Sequence, residues 1–194
     1  KQLEGYYGPV IDNITLRNPA FRTAVEVAAG NSLFHIIVRD DTMAAMIMKE
    51  LERRKAGRVT FLPLNRLRVE DTVYPDSNDV RPLLDVAIDY DQEVEVAMKQ
   101  VFGKKLLARD LETAAHFSKE FSLDAITKDG DVVNRRGGFE GGFRDDRASK
   151  MLAVYKINEA GDRLEELRLQ ETNLKEKSDQ VEQSVNGVMR ELHR

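Results

Sequence analysis

Apolar residues recur at alternating steps of three and four in the C-terminal part of the chain. The steps fall on Ile157, Ala160, Leu164, Leu167, Glu171, Leu174, Ser178, Val181, Val185, Val188 and Leu192. Apart from Glu171 and Ser178 these positions are apolar, and the residues between them are mostly charged or amides. A seam of this period over roughly five heptads predicts a coiled-coil helix, which we place at residues 145–194.

A coiled-coil seam requires a partner helix, and no other segment of the sequence repeats the pattern. Either two copies of the chain pair along the seam, or the partner precedes Lys1. In the second case, residues 1–4 are the end of a truncated coiled-coil arm. The alternative is one amphipathic helix packed on the rest of the chain, although such helices rarely exceed ~25 residues.

Residues 5–144 alternate between short apolar runs and amphipathic stretches, which predicts a mixed α/β fold. The predicted strands are residues 9–11, 33–38, 58–62, 83–88, 105–108, 125–127 and 132–133, and the predicted helices are 19–29, 41–57, 92–102 and 111–121. Because residues 33–62 form an apolar strand, a helix and a second strand, they favour a parallel pair of strands covered by a helix.

Prolines and small polar residues interrupt this alternation between residues 63 and 81. We therefore predict two pseudo-related α/β subdomains, at 5–68 and 83–144, joined by a connecting loop at 69–82. The long coiled-coil helix follows the second subdomain.

The composition excludes several classes of function. The chain has 30 Lys and Arg against 34 Asp and Glu, a net charge of -4, so any contact with a nucleic acid must be local. Cysteine is absent, which excludes disulfides, thiolate nucleophiles and thiolate metal ligands. Apolar runs such as 33–38 are far shorter than the ~20 residues of a membrane-spanning helix, so we expect no membrane partner.

The sequence offers no motif for catalysis or for a cofactor. Gly137 and Gly142 have the spacing of a phosphate-binding loop, but Phe143 and Arg144 follow where that loop needs a lysine and a hydroxyl residue. The 3 histidines have no spacing that favours a shared metal. We predict no catalytic residue, cofactor, metal or small-molecule substrate.

Several motifs together resemble the hinge domain of the structural-maintenance-of-chromosomes (SMC) family. They are GYYGPVID at 5–12, TAVEVAAGN at 23–31, VTFLPLNRL at 59–67, VFGK at 101–104, and Arg136-Gly137 with Gly141-Gly142. VEVAAGN, FLPLN and the Tyr74-Pro75 loop are similar to the type found in the third SMC subunit of cohesin. The resemblance covers residues 5–150.

The resemblance implies that two hinges join into a ring-shaped dimer, in which strands of one subdomain add to strands of the other hinge. It places Gly137, Phe139, Gly141, Gly142 and Phe143 at the dimer interface. Glycine lets two backbones approach closely, and the phenylalanines supply apolar contacts. The alternative is that these glycines only form turns.

Hinges of this family are thought to contact DNA through positively charged surfaces. The candidates in this chain are Arg135, Arg136, Arg144, Arg147 and Lys150. Asp145 and Asp146 interleave with them and weaken the hypothesis. Contacts of this kind are directed at phosphates, do not read sequence, and weaken steeply with salt.

The resemblance thus implies a hinge that pairs with the hinge of the first cohesin SMC subunit, in the nucleus and on chromosomes, in sister chromatid cohesion. The segment would not be an enzyme, because the ABC-type ATPase heads of SMC proteins lie elsewhere. A homodimer of isolated copies is a further candidate assembly. Two rival functions remain: a coiled-coil scaffold that dimerises through residues 150–194, and, less favoured, a small α/β enzyme.

Overall fold

The computed structural model describes residues 4–193, apart from the side chains of residues 146 and 191. The strands are β1 (Tyr6–Pro9), β2 (Thr15–Leu16), β3 (Ile36–Val38), β4 (Phe61–Pro63), β5 (Val80–Pro82), β6 (Ile88–Asp89), β7 (Lys105–Ala108), β8 (Asp124–Thr127), β9 (Val132–Val133) and β10 (Phe139–Glu140). The helices are α1 (Arg22–Ala29), α2 (Asp41–Arg54), α3 (Leu83–Ala87), α4 (Glu95–Phe102), α5 (Leu111–Phe121) and α6 (Lys150–Leu192). The predicted arm end at residues 1–4 lies, except for Glu4, outside the described residues, as does Arg194.

Two strand–helix–strand units form the centre of the fold. β3 and β4 are parallel neighbours connected through α2, and β7 and β8 are parallel neighbours connected through α5. Asp40 caps α2 by accepting a hydrogen bond from the N–H of Met43 (2.8 Å). Asp110 caps α5 in the same way, accepting from the N–H of Thr113 (2.8 Å). Each cap satisfies an N–H that the first turn of the helix leaves unpaired, so both halves begin their central helix by the same physical device.

Three sheets organise the residues up to Ser149, which form one compact unit. The first sheet has the order β1-β3-β4, the second has the order β10-β9-β8-β7-β5, and β2 pairs with β6 in a short ladder that connects the two halves. The mixed α/β fold is confirmed. The first sheet lies within residues 5–68 and the second, apart from β5, within 83–144. The division into two subdomains stays a prediction.

The first predicted strand, at residues 9–11, lies too late in the sequence. The strand ends at Pro9, and Val10–Asn13 form a 3-10 turn. The Asn13 side-chain amide donates hydrogen bonds to the carbonyls of Tyr7 (2.9 Å) and Pro9 (2.8 Å). This side chain therefore folds the backbone back where a longer strand was expected.

The predicted strands at 33–38 and 83–88 are each only partly strand in the structure. Residues 33–38 are a strand only from Ile36, because the 3-10 turn Gly30–Phe34 buries Leu33 before the strand begins. Residues 83–88 are helical over Leu83–Ala87, and only Ile88 begins a strand. In both segments most of the apolar residues are buried, as predicted. The segments are too short for hydrophobic periodicity to distinguish a helix from a strand.

The boundaries of the connecting loop and of the long helix also differ from the prediction. Val80–Pro82, within the predicted loop at 69–82, form β5 because Val80 is buried and the strand pairs with β7. The long helix begins at Lys150 rather than at residue 145, after a 3-10 turn over Asp146–Ala148.

The long helix α6 belongs to a second unit and presents its apolar seam to solvent in the single chain. The predicted seam residues Ile157, Leu164, Leu167, Leu174, Val181, Val185, Val188 and Leu192 are all between 46% and 75% exposed. A stripe of exposed aliphatic side chains at heptad spacing is typical of a coiled coil. None of the described helices combines the length and the apolar character needed to cross a membrane.

Replacing Asp110 with alanine should lower the unfolding midpoint at pH 7 by about 2–4 °C, because the N-cap of α5 is lost. Hydrogen bonds from the Thr113 N–H, from the Thr113 side chain and from Arg109 together lower the pKa of Asp110 to about 2. Since the folded pKa lies below the ordinary value of about 3.9, the cap stabilises the fold above that value and ceases to do so as the pH falls towards 2. The difference in unfolding midpoint between wild type and D110A, measured by calorimetry, should therefore shrink as the pH falls from about 4 to 2, whereas the exposed Asp76→Ala control should match wild type throughout.

Candidate functional site

The strand β10 is the outermost strand of the five-stranded sheet. It pairs with β9 in antiparallel register, with Phe139 opposite Val133 and Glu140 opposite Val132. The order of the sheet leaves the outer side of β10 without a neighbouring strand among residues 4–193. An edge of this kind presents unpaired backbone groups to a further strand.

The turn between β9 and β10 is held by Asn134. Its Oδ1 accepts hydrogen bonds from the N–H groups of Arg136 (3.0 Å) and Gly138 (2.9 Å). Gly137 has a φ of 89°, a conformation that glycine adopts without strain. A Cβ on Gly138 would lie 2.5 Å from the Asn134 amide nitrogen. The turn therefore gives an intramolecular reason for both glycines.

The chain that follows β10 is held by Asp131. Its carboxylate accepts a hydrogen bond from the N–H of Gly142 (3.3 Å). A Cβ on Gly141 would collide with the same carboxylate oxygen, and Gly142 has a φ of 128°. The second glycine pair thus also has a local role, which is what the alternative of turn-forming glycines predicts.

The two phenylalanines beside this edge have no such local explanation. Phe139 is 62% exposed and Phe143 is 96% exposed. Phenylalanine side chains are normally among the main contributors to a buried core or interface. Exposed aromatic side chains next to an unpaired strand edge are typical of a protein–protein association surface. The structure thus brings the five predicted interface residues onto one edge, and their part in a dimer stays a prediction.

The five basic candidates for DNA contact do not share one environment. Arg135 and Arg136 lie in the turn before β10, where the N–H of Arg135 donates to Asp124 Oδ1 (3.0 Å). Arg144 passes beside the turn between β8 and β9, with its Cδ 3.6 Å from the position of a Cβ on Gly130. Arg136 and Arg144 have no ion pair among the described residues, so their charge is available to a phosphate.

Arg147 and Lys150 are weaker candidates for a shared surface. The Arg147 guanidinium binds the Asp145 carboxylate at 3.1 Å, and this hydrogen bond lowers the pKa of Asp145. Asp145 therefore offsets much of the charge of Arg147. Lys150 is the first residue of α6 and belongs to the second unit.

Sequence reasoning missed the two side chains that shape this edge, Asn134 and Asp131. Asparagine is a turn residue because its side chain bonds to backbone N–H groups two to four positions later. An asparagine directly after the apolar pair Val132-Val133 was therefore a usable signal for the turn. Nothing in the local sequence pointed to Asp131. Among residues 4–193 no group of three or more His, Asp and Glu side chains is placed to hold a metal ion.

Known proteins resemble this chain in sequence. The family model of the SMC proteins Flexible Hinge Domain matches residues 3–118. Structural maintenance of chromosomes protein 3 of Arabidopsis thaliana is 42% identical over 176 residues, which are 87% of this chain and 14% of that protein. Chromosome segregation protein sudA of Emericella nidulans is 35% identical over 192 residues, 99% of this chain and 16% of that protein. A Cryptococcus neoformans protein named urease accessory protein 2 is 42% identical over 152 residues, 78% of this chain and 12% of that protein.

The chain therefore spans between 12% and 16% of the length of these relatives. Solved structures agree with the sequence matches. The structure described as the folded elbow of cohesin is similar with a TM-score of 0.70 and 36% identity, covering 97% of this chain and 28% of that one. The hinge domain of the Pyrococcus furiosus SMC protein is similar with a TM-score of 0.63 and 30% identity, covering 77% of this chain and 82% of that one. The chain belongs to the family of SMC flexible hinge domains.

Proposed function

We propose that the residues up to Ser149 form a dimerisation module that joins this chain to the hinge of another SMC subunit, and that the partner is the first SMC subunit of cohesin. The observation that carries the proposal is the free outer side of β10 with Phe139 and Phe143 exposed beside it. Relatives named structural maintenance of chromosomes protein 3 and a similar structure of cohesin support the choice of complex.

Binding would occur by addition of a partner strand to β10. The backbone N–H and C=O groups on its outer side would pair with that strand and supply affinity that does not depend on side chains. Phe139 and Phe143 would then bury apolar surface against the partner. The pockets of the partner that receive these two side chains would set specificity. Gly137, Gly141 and Gly142 leave the approach to this edge free of Cβ atoms. An SMC hinge from Geobacillus stearothermophilus, similar with a TM-score of 0.67 and 25% identity, is described as an asymmetric dimer.

Mixing experiments test the choice of partner. The full chain would be combined in turn with the hinge of the first cohesin SMC subunit and with a hinge of a condensin SMC subunit, and the masses in solution would be measured by light scattering. We expect a one-to-one complex with the cohesin hinge and none with the condensin hinge. Equal complex formation with both would leave dimerisation standing and remove the assignment to cohesin.

We propose non-specific DNA contact as a second function of the same region. The observation that favours it is that Arg136 and Arg144 form no ion pair with any acidic side chain that the structure describes. Such contact would be electrostatic and would place DNA next to the dimer junction.

The logarithm of DNA affinity falls linearly with the logarithm of salt concentration, with a slope of about 0.9 in magnitude for each phosphate contact. Replacing both Arg136 and Arg144 with glutamine should therefore reduce the magnitude of this slope by about 2. Fluorescence anisotropy with a labelled duplex at several salt concentrations measures the slope. Arg53→Gln is the matched control, because Glu50 already holds that guanidinium at 2.6 Å. An unchanged slope in the double variant would exclude these two arginines as phosphate contacts.

Within the longer protein, the proposed role is to close one end of a ring that holds chromosomes together in the nucleus. α6 would continue as one strand of a coiled-coil arm that connects this junction to ATPase heads encoded elsewhere. The module itself would need no cofactor and perform no catalysis.

A further inference from the structure

A groove of about 600 Å³ opens between the two larger sheets, and we call it the basic groove. Three parts of the fold line it. Leu62 lies on β4 of the first sheet, and Thr60 directly precedes that strand. Lys105 lies on β7 of the second sheet, and Arg68 lies in the irregular segment that connects the two sheets. Anything bound here would contact both halves of the globular unit and the connection between them.

The charged lining of the basic groove is predominantly positive. Its cations are Arg68, Lys99, Lys104, Lys105 and Arg135, and its anions are Glu70 and Asp124. Two of the lysines are already paired, since Lys99 binds Glu95 at 2.7 Å and Lys104 binds Glu70 at 3.2 Å. The remaining cations are two arginines and one lysine, opposed by a single carboxylate.

That carboxylate has its own intramolecular partner. Asp124 Oδ1 accepts the backbone N–H of Arg135, which fixes the base of the Arg135 side chain at the mouth of the basic groove. Neither Arg68 nor Arg135 has an ion pair among the described residues. Both guanidinium groups are thus available, and a guanidinium binds phosphate oxygens through parallel N–H donors.

Lys105 is the one cation of this set that is largely removed from solvent. Its ammonium donates to the carbonyl of Ala28 at the end of α1. Burial lowers the pKa of Lys105, the nearby Arg135 lowers it further, and Asp124 opposes the shift. A buried ammonium close to another cation gains more from a bound anion than a solvated one does.

We propose that the basic groove binds a compact polyphosphate, a small ligand with at least two linked phosphate groups, through Arg68, Lys105 and Arg135. The volume lies within the range of about 300–1,000 Å³ that is usual for small-ligand sites. Ser32 and Thr60 also line the groove, and their hydroxyl groups would be further donors to a phosphate. A DNA duplex needs an extended positive surface rather than a concavity, so this site is separate from the proposed DNA contact of Arg136 and Arg144.

Isothermal titration of the full chain with inorganic tripolyphosphate at about 50 mM salt tests the proposal. We expect one ligand per chain, and a rise in the unfolding midpoint because the ligand binds the folded chain, in which the groove exists, and not the unfolded chain. Arg68→Gln and Arg135→Gln should each weaken binding by about tenfold or more. Arg58→Gln, an exposed arginine outside the groove, should leave affinity unchanged.

Three results would overturn the proposal. The first is no binding of tripolyphosphate, or equal binding by wild type and both groove variants. The second is orthophosphate binding as tightly as tripolyphosphate, which would indicate a single-phosphate site. The third is displacement of tripolyphosphate by a short DNA duplex at equal phosphate concentration, which would make the groove part of a DNA surface. None of these results bears on dimerisation through β10.

Discussion

Replacement of both Phe139 and Phe143 by glutamate is expected to weaken the hinge dimer by at least about 100-fold, given roughly 2 kcal/mol for each aromatic anchor at an interface. In the single chain these side chains are 62% and 96% exposed, so the fold loses little when they are replaced. Glutamate would also bring an unpaired carboxylate into the interface, which adds a desolvation cost. Sedimentation equilibrium over a range of concentrations measures the change.

Val73→Glu is the matched control for this experiment. Val73 is 78% exposed and belongs neither to β10 nor to its flanking turns, so it undergoes the same change from an apolar to an acidic side chain outside the proposed interface. The control should dimerise like wild type and the double variant should be monomeric at micromolar concentration. A double variant with wild-type affinity and an unchanged circular dichroism spectrum would show that this edge is not the interface.

Glycine variants would test the interface less cleanly than the phenylalanine variants. Any side chain on Gly141 meets the Asp131 carboxylate, and Gly142 has a positive φ. A loss of dimer after substitution there would combine damage to the turn with damage to the interface. Phe143 avoids this problem because almost none of its surface is buried in the single chain.

Replacement of Phe102 by alanine is expected to lower the free energy of unfolding by about 3–5 kcal/mol, the usual cost of removing a buried phenylalanine. Phe102 is fully buried at the end of α4 and is among the largest fully buried side chains of the protein. The next residue, Gly103, accepts a hydrogen bond from the Tyr74 hydroxyl (2.5 Å), so the same site holds the connecting segment in place. The loss of packing should therefore also loosen that segment.

Urea denaturation followed by circular dichroism measures the Phe102→Ala effect. Val96→Ala on the same helix is the control, because Val96 is partly exposed and its truncation should cost less than about 1 kcal/mol. If the two variants were equally stable, Phe102 would not be packed in the core as the structure describes.

Sequence reasoning succeeded where one local interaction decides the structure. Asp40 and Asp110 precede their helices at the cap position, and both helices begin there. The heptad spacing of α6 also predicted a long helix, because periodicity over many turns has few alternative explanations. The predicted strands at 125–127 and 132–133 left Asp129-Gly130 for the turn between them, and Gly130 has a φ of 93° there.

Sequence reasoning failed where tertiary contacts decide between two local structures. Residues 83–88 are apolar enough for either element, and burial of Leu83, Leu84 and Ala87 on one side selects a helix. β10 has only 2 residues and is a strand because β9 pairs with it. The sequence around it contains no run of β-forming residues that could predict it. The glycines and phenylalanines of the sequence indicated the candidate interface. The unpaired strand edge beside them could be recognised only from the fold. The basic groove was missed because Arg68, Lys105 and Arg135 are distant in sequence.

The location of the dimer contact is the most direct test of the proposed function. Sedimentation velocity would compare a fragment that ends at Ser149 with a fragment that begins at Lys150, each with the hinge of the first cohesin SMC subunit. The fragment that ends at Ser149 should form a one-to-one complex with an affinity close to that of the full chain, and the α6 fragment should form none. A complex that requires α6, with the globular fragment monomeric in every mixture, would contradict strand addition at β10 and support a coiled-coil scaffold instead.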